Sequence, residues 1–276
     1  MEKQEALVIT DICPLYLEAT DDELVDEVLY GMIVDIISPP KDGFVRVRAH
    51  YRYEGWAPQT CLLQDSDKIE RWRSVPKWTV WSPYLDVKVG PSVHPHTIAN
   101  VPRGGLLERL PEDETGDDGY IKIGLADGAQ GWVRKPCVLP QATSWNKGDE
   151  WVLREKIVAA AKLYLGVQYR WGGKTPLGID CSGLTSMAYM LCGSIIYRDA
   201  DIRPGFDMRE IPFGEKKPGD LVFFAHHVAM YLGGGDFIHS TANPSAVGVV
   251  INSFDPTSPV FRGDLLTSVV KTGTIF

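Results

Sequence analysis

The chain has 276 residues, 44% of them hydrophobic, and a formal net charge of -8. That apolar content supports a sizeable core and argues against wholesale disorder, and the length suits two or three compact units. No basic patch or tail points to nucleic acid, and no run of about 18 apolar residues points to a membrane span. The opening "MEKQEALVITDICPLYL" lacks a basic start followed by an apolar run, so a cytoplasmic location is expected. The five cysteines, Cys13, Cys61, Cys137, Cys181 and Cys192, include no CxxC pair. Their odd number argues against a disulfide framework, and a reducing compartment is the simpler reading.

Two segments of the first half echo each other: "GFVRVRAHYRYEGWAPQTCLL" from Gly43 and "GYIKIGLADGAQGWVRKPCVL" from Gly119. Each reaches a Gly-Trp at the same offset, 43 to 55 and 119 to 131, and each then reaches a cysteine, Cys61 or Cys137. Alternating "FVRVR" and "YIKIG" predict half-buried strands. "SPPKDG" and "PEDETGDDG" supply turns. The spacing predicts two small antiparallel barrels, with the repeated cysteines packed as core residues. Residues 66–77 and 140–150 read as connectors. Tandem units of this kind resemble bacterial SH3-like domains, over residues 1–66 and 78–140.

The pattern changes at Asp149. "DEWVLREKIVAAAKLYLG" favours a helix, with Trp151, Ile157, Ala161, Tyr164 and Leu165 around one side and Gly166 as its stop. A glycine-rich loop, "YRWGGKTPLGID", leads into "CSGLTSMAYMLCG", a second helix closed by Gly193. Cys181 therefore falls at a helix N-terminus. There the macrodipole favours the thiolate, and unpaired N–H groups of the first turn can hold an oxyanion.

Downstream, "KPGDLVFFAHHVAMYLGGGDFIHS" reads as a turn at Pro218-Gly219, then "DLVFFA" and "HHVAMYL" as strands, and a "GGG" hairpin into "DFIHS". Strand alternation puts His227, Ala229 and Tyr231 on one face, and His239 shares a face with Phe237. His227 and His239 can then lie side by side, and with Cys181 they follow the logic of nucleophile, base and orienting group. Zinc is the competing use of these ligand types. It is disfavoured because His226 and His227, read as neighbours in one strand, point to opposite faces, and no second thiol is spaced to help. His50, His94 and His96 receive no role.

The ordered set of motifs from residue 150 to 276 resembles the NlpC-type family of cell-wall cysteine peptidases, which implies a papain-like catalytic domain and an α+β chain overall. By that resemblance Cys181 is the nucleophile, His227 the general base and His239 the orienting third residue. Tyr169 supports the oxyanion, and Asp180 and Ser182 line the substrate side. Two SH3-like modules ahead of such a domain resemble the γ-D-glutamyl-L-diamino acid endopeptidases, which take peptidoglycan-derived peptides and need no cofactor. The resemblance implies that Tyr53 and Asp199 bind the free amine of an N-terminal L-alanine, with a second acid from "DDELVDE", residues 21–27. The second repeat carries Ala129 in place of Tyr53. Ala200 stands where a serine would help bind a carboxylate, which leaves that contact to Ser182 or Arg198. The rival readings are an enzyme acting on intact peptidoglycan and a non-catalytic wall-binding protein.

Overall fold

The computed structural model describes residues 4–111, 119–145 and 147–276. The chain divides into two compact units after Gln141.

In the first unit, β1 (Gln4–Val8), β2 (Ile12–Tyr16), β3 (Leu24–Leu29), β4 (Ile33–Ile36), β5 (Phe44–Ala49), β6 (Glu54–Pro58) and β7 (Leu62–Leu63) bond in the order β3-β2-β6-β5-β4-β1-β7. A second set follows: β8 (Lys77–Val80), β9 (Tyr84–Lys88), β10 (Thr97–Pro102), β11 (Leu106–Arg109), β12 (Tyr120–Gly124), β13 (Gln130–Arg134) and β14 (Val138–Pro140). Its order, β10-β9-β13-β12-β11-β8-β14, is the first order shifted by one whole set. The sequence repeat is thus a repeat of topology, down to the register that pairs Arg46 with Trp56 and Lys122 with Trp132. β5 buries Val45, Val47 and Ala49 and exposes Arg46 and Arg48, as its alternation requires. Cys61 is buried and Cys137 half-buried.

Residues 66–77 are not merely a connector. Ser66–Ser74 forms α1, capped by Asp65, whose carboxylate accepts from Lys68 N at 3.1 Å. Its charged residues mask an apolar edge, Ile69 and Trp72, that buries against both barrels. Trp72 Nε1 donates to the Gly31 carbonyl at 2.8 Å. Gly31 has φ +78° and leaves no room for a Cβ beside the Trp72 ring, so only glycine fits there. The Tyr30 hydroxyl accepts from Ala126 N at 2.8 Å. The two barrels therefore share one core, which runs from Leu7 and Trp72 to Leu107 and Ile123.

The second unit starts with α2 (Glu150–Lys162) and a short hairpin, β15 (Lys174–Thr175) and β16 (Gly178–Ile179). Then come α3 (Cys181–Met190), β17 (Arg209–Ile211), β18 (Leu221–Phe224), β19 (His227–Gly233), β20 (Asp236–Ser240), β21 (Val249–Ser253), α4 (Gly263–Thr267) and β22 (Val269–Thr274). Six strands make one antiparallel sheet in the order β17-β22-β18-β19-β20-β21. α2 buries Leu153, Ile157, Ala160 and Ala161, whereas Trp151 and Leu165 are exposed. Trp151 lies in the first turn off the packed stripe, and Leu165 lies beyond the last turn.

Two polar ties fix α2 and α3 to the sheet. Arg154 of α2 and Asp220 are both buried and pair at 2.8 Å, and Arg154 Nη1 also donates to Pro218 O at 2.8 Å. Tyr189 of α3 donates to the Gly219 carbonyl at 2.5 Å. The Pro-Gly-Asp turn is thus an anchor for both helices. The chain is α+β, with a papain-like unit after an all-β region.

Candidate active site

Cys181 is the first residue of α3. Asp180 caps that helix through Oδ1, which accepts from Gly183 N at 2.6 Å. Its other oxygen accepts from Gly172 N at 2.9 Å in the glycine-rich loop. Gly183 is required because a Cβ there would run into the Gly173 carbonyl oxygen. Loop, cap and nucleophile are therefore held as one piece. Ser240 Oγ of β20 adds a bond to Ile179 O at 2.6 Å, which fixes the residue before the cap.

Arg198 closes on the same cap. Its guanidinium takes the Asp180 carboxylate with both arms, at 3.1 and 3.0 Å, and Nη1 donates to Ser182 Oγ at 2.8 Å. Arg198 is 1% exposed. Asp180, Ser182 and Arg198, expected from the sequence to meet substrate, are together a buried network that sets the angle of α3. The pairing spans residues 180 and 198, and nothing in the sequence order signals it.

β19 starts at His227. His226 is not a strand residue: with φ +62° it lies in the turn after Phe224, and it is exposed. The expectation that His226 and His227 alternate across one strand therefore fails, because His226 is the second residue of the two-residue turn between Phe224 and His227 and is not extended. His227 Nε2 lies 2.7 Å from His239 Nδ1. His239 Nε2 lies 2.8 Å from Asn252 Oδ1 on β21. Asn252 Nδ2 donates to Val260 O at 3.2 Å, which turns its oxygen toward His239. The proton positions follow in sequence. Asn252 Oδ1 accepts from His239 Nε2–H. His239 Nδ1 accepts from His227 Nε2–H. His227 Nδ1 is left as the bare, basic nitrogen. Asn252 carried no motif signal, since its part depends on β21 pairing beside β20.

The electrostatics are those of a neutral resting site. Burial, and then Asp180, push the Cys181 thiol up to about 11, against backbone N–H groups of Val228 and Ser182 that favour the thiolate. The Val228 amide places the sulfur beside the start of β19. Burial, then the charge of His239 and of Arg262, press His227 down to about 3. Burial lowers His239 to about 4, and its bond to Asn252 only partly offsets this. No carboxylate stands in the His227–His239–Asn252 chain to hold an imidazolium. Tyr169 is half-buried and bridges to Ile179, and burial and the neighbouring Cys181 raise its hydroxyl to about 12. It stays a donor at any ordinary pH.

The remaining expected residues have these local surroundings. Asp199 is half-buried and accepts from the Tyr197 hydroxyl. Tyr53 is half-buried in the first unit, just before β6. Of the acids between 21 and 27, Asp26 and Glu27 are buried, and Tyr51 donates to Asp26 Oδ2 at 2.6 Å. Asp21, Asp22 and Glu23 are exposed.

A thiol at a helix start, beside the first residues of the strand that carries an imidazole aligned by a second imidazole and an amide, is the arrangement that a thiol-dependent acyl-transfer enzyme uses. The NlpC/P60 family profile matches residues 166–265. The whole chain is similar to Dipeptidyl-peptidase 6 of Lysinibacillus sphaericus, at 38% identity over 98% of this chain and 99% of that protein. A gamma-D-glutamyl-L-lysine dipeptidyl-peptidase of Bacillus cereus is 27% identical over 83% of this chain and 70% of its own length. The crystal structure of an NlpC/P60 family protein from Bacillus cereus shares the fold, with a TM-score of 0.77 at 22% identity, covering 97% of this chain and 98% of that one. The chain belongs to the NlpC/P60 family of cysteine peptidases.

Proposed function

We propose that this enzyme cleaves the bond between γ-D-glutamate and the diamino acid in peptidoglycan stem peptides whose N-terminal L-alanine is free. The observation that carries the reading is full-length similarity to a protein named as a dipeptidyl-peptidase, together with the cysteine, histidine and asparagine series of the second unit. A peptidase that removes a dipeptide counts two residues from a free amine, and the γ-glutamyl carbonyl is where that count ends.

In this reading His227 Nδ1 takes the Cys181 proton as the sulfur attacks the γ-carbonyl. The Cys181 N–H and the Tyr169 hydroxyl carry the oxyanion. His227 then protonates the leaving amine and activates water against the thioester. Burial raises the Cys181 thiol and lowers His227, so burial alone disfavours a resting thiolate–imidazolium pair. Asp199 receives the ammonium of L-alanine, whose burial without a partner would be costly.

The test compares the free tripeptide with its N-acetyl form and with purified sacculus. A charged hydrogen bond is worth about 1.5–3 kcal/mol, so kcat/KM should favour the free amine by roughly 10–100-fold. Asp199→Ala should erode that preference. Equal cleavage of all three substrates would replace this reading with that of a hydrolase of intact wall.

A further inference from the structure

A cavity of about 250 Å3 is bordered by the two histidines of the site. His227 and His239 form its inner wall, and Phe224, Ala225, Leu265 and Arg262 form much of the rest. Neither Cys181 nor Tyr169 borders it. That position identifies its side of the reaction. The acyl carbon bonds to the sulfur, so the acyl half lies with Cys181 and its oxyanion donors. The leaving amine takes its proton from His227, so the leaving half passes over the imidazole. A space bordered by the base and not by the nucleophile is therefore on the leaving-group side.

Its chemistry is equally specific. Apart from the two neutral histidines, Arg262 is the one charged residue among the described lining residues. Asp264 holds it side-on: Arg262 Nε donates to Oδ1 at 2.8 Å and Nη2 to Oδ2 at 2.6 Å. Side-on pairing fixes the plane of the guanidinium and leaves the Nη1/Nη2 edge available. A planar cation with one edge held and the other open, set in a partly apolar wall, matches a carboxylate.

We infer that Arg262 is a specificity residue that receives a carboxylate of the departing diamino acid. This rests on the cleavage site proposed above. Two carboxylates could serve. One is the α-carboxylate, free only when the diamino acid ends the peptide. The other is a distal carboxylate, present in diaminopimelate and absent from lysine.

The experiment measures kcat/KM of the wild type, Arg262→Gln and Arg262→Lys on L-Ala-γ-D-Glu-L-Lys, on its C-terminal amide, and on the diaminopimelate tripeptide. Alkylation of Cys181, read by peptide mapping so that the other four cysteines do not contribute, normalises each preparation to intact sites. If the α-carboxylate is the ligand, the wild type prefers the acid to the amide by roughly 10–100-fold, since the bond lost is a charged one. Arg262→Gln brings that ratio below about threefold, chiefly through the acid, and Arg262→Lys restores part of it. If the distal carboxylate is the ligand, the same collapse appears in the diaminopimelate-to-lysine ratio instead. Equal losses on all three peptides would mean that Arg262 acts only through the histidines or the fold, and would overturn the inference. A wild type that cleaves none of the three would overturn the cleavage site itself.

Discussion

Cys181 and Cys192 sit at opposite ends of the same stretch of chain and are both buried, with thiols raised by burial to about 11. What separates them is position: Cys181 starts α3 and takes the Val228 amide at the start of β19, whereas Cys192 lies beyond the other end of the helix. Cys181→Ala should abolish peptide hydrolysis with the far-UV spectrum unchanged, and Cys192→Ala should leave the rate within about threefold. His227→Ala should cost orders of magnitude in kcat, as loss of a general base does, and the exposed His226→Ala should cost little. Comparable losses at 226 and 227 would mean the base is misassigned. The neutral site also has a chemical signature. Iodoacetamide alkylation of Cys181, followed by peptide mapping, should rise about tenfold per pH unit from pH 6 to 9, because only the thiolate reacts. Cys61, lowered to about 6 by bonds from Cys13, Thr10 and Thr60, should level off above neutrality. A plateau for Cys181 from acid pH upward would establish a preformed thiolate–imidazolium pair and contradict the neutral account.

At the scale of elements, the alternating strands, the β19–β20 hairpin and both helix stops were legible in the sequence, because each is written in local periodicity and turn residues. The placement of Cys181 at a helix start was legible for the same reason. The long-range polar ties were not. Asp180, Ser182 and Arg198 were each marked by the family resemblance, but the buried tie that joins them was not. The helical character of α1 was hidden by charge, and Asn252 by the absence of any motif around β21. These ties set testable stabilities. Arg198→Met leaves the Asp180 carboxylate buried and unpaired, and should cost about 3–5 kcal/mol in denaturant unfolding, with a fall in kcat as α3 shifts. An Arg198→Met change costing under about 1 kcal/mol would show that the cap does not depend on it. In the first unit, Trp72→Ala empties the core shared by the barrels and should cost about 3–5 kcal/mol of that unit's stability.

Across the whole chain, the duplication legible in residues 43–63 and 119–139 proved to be a duplicated strand order, while the single core of the two barrels depended on α1 and could not be read locally. Acid sensitivity is also a property at this scale. His227 and His239 titrate far below the ordinary value of about 6.5, so the unfolded chain binds protons that the folded chain refuses. Between about pH 6.5 and 4 their contribution therefore destabilises the fold progressively as pH falls. The calorimetric Tm of the second unit should drop from pH 7 to 5, and His227→Gln should make that drop shallower; an unaltered slope in the variant would refute the linkage.

The central claim is the bond cleaved and the sulfur that cleaves it. Mass-spectrometric identification of products from the free tripeptide L-Ala-γ-D-Glu-L-diamino acid, with the wild type and with Cys181→Ala, addresses both at once. The wild type should release L-Ala-γ-D-Glu and the free diamino acid in equal amounts, and the variant neither. Cleavage between alanine and glutamate, or turnover retained without Cys181, would contradict the account.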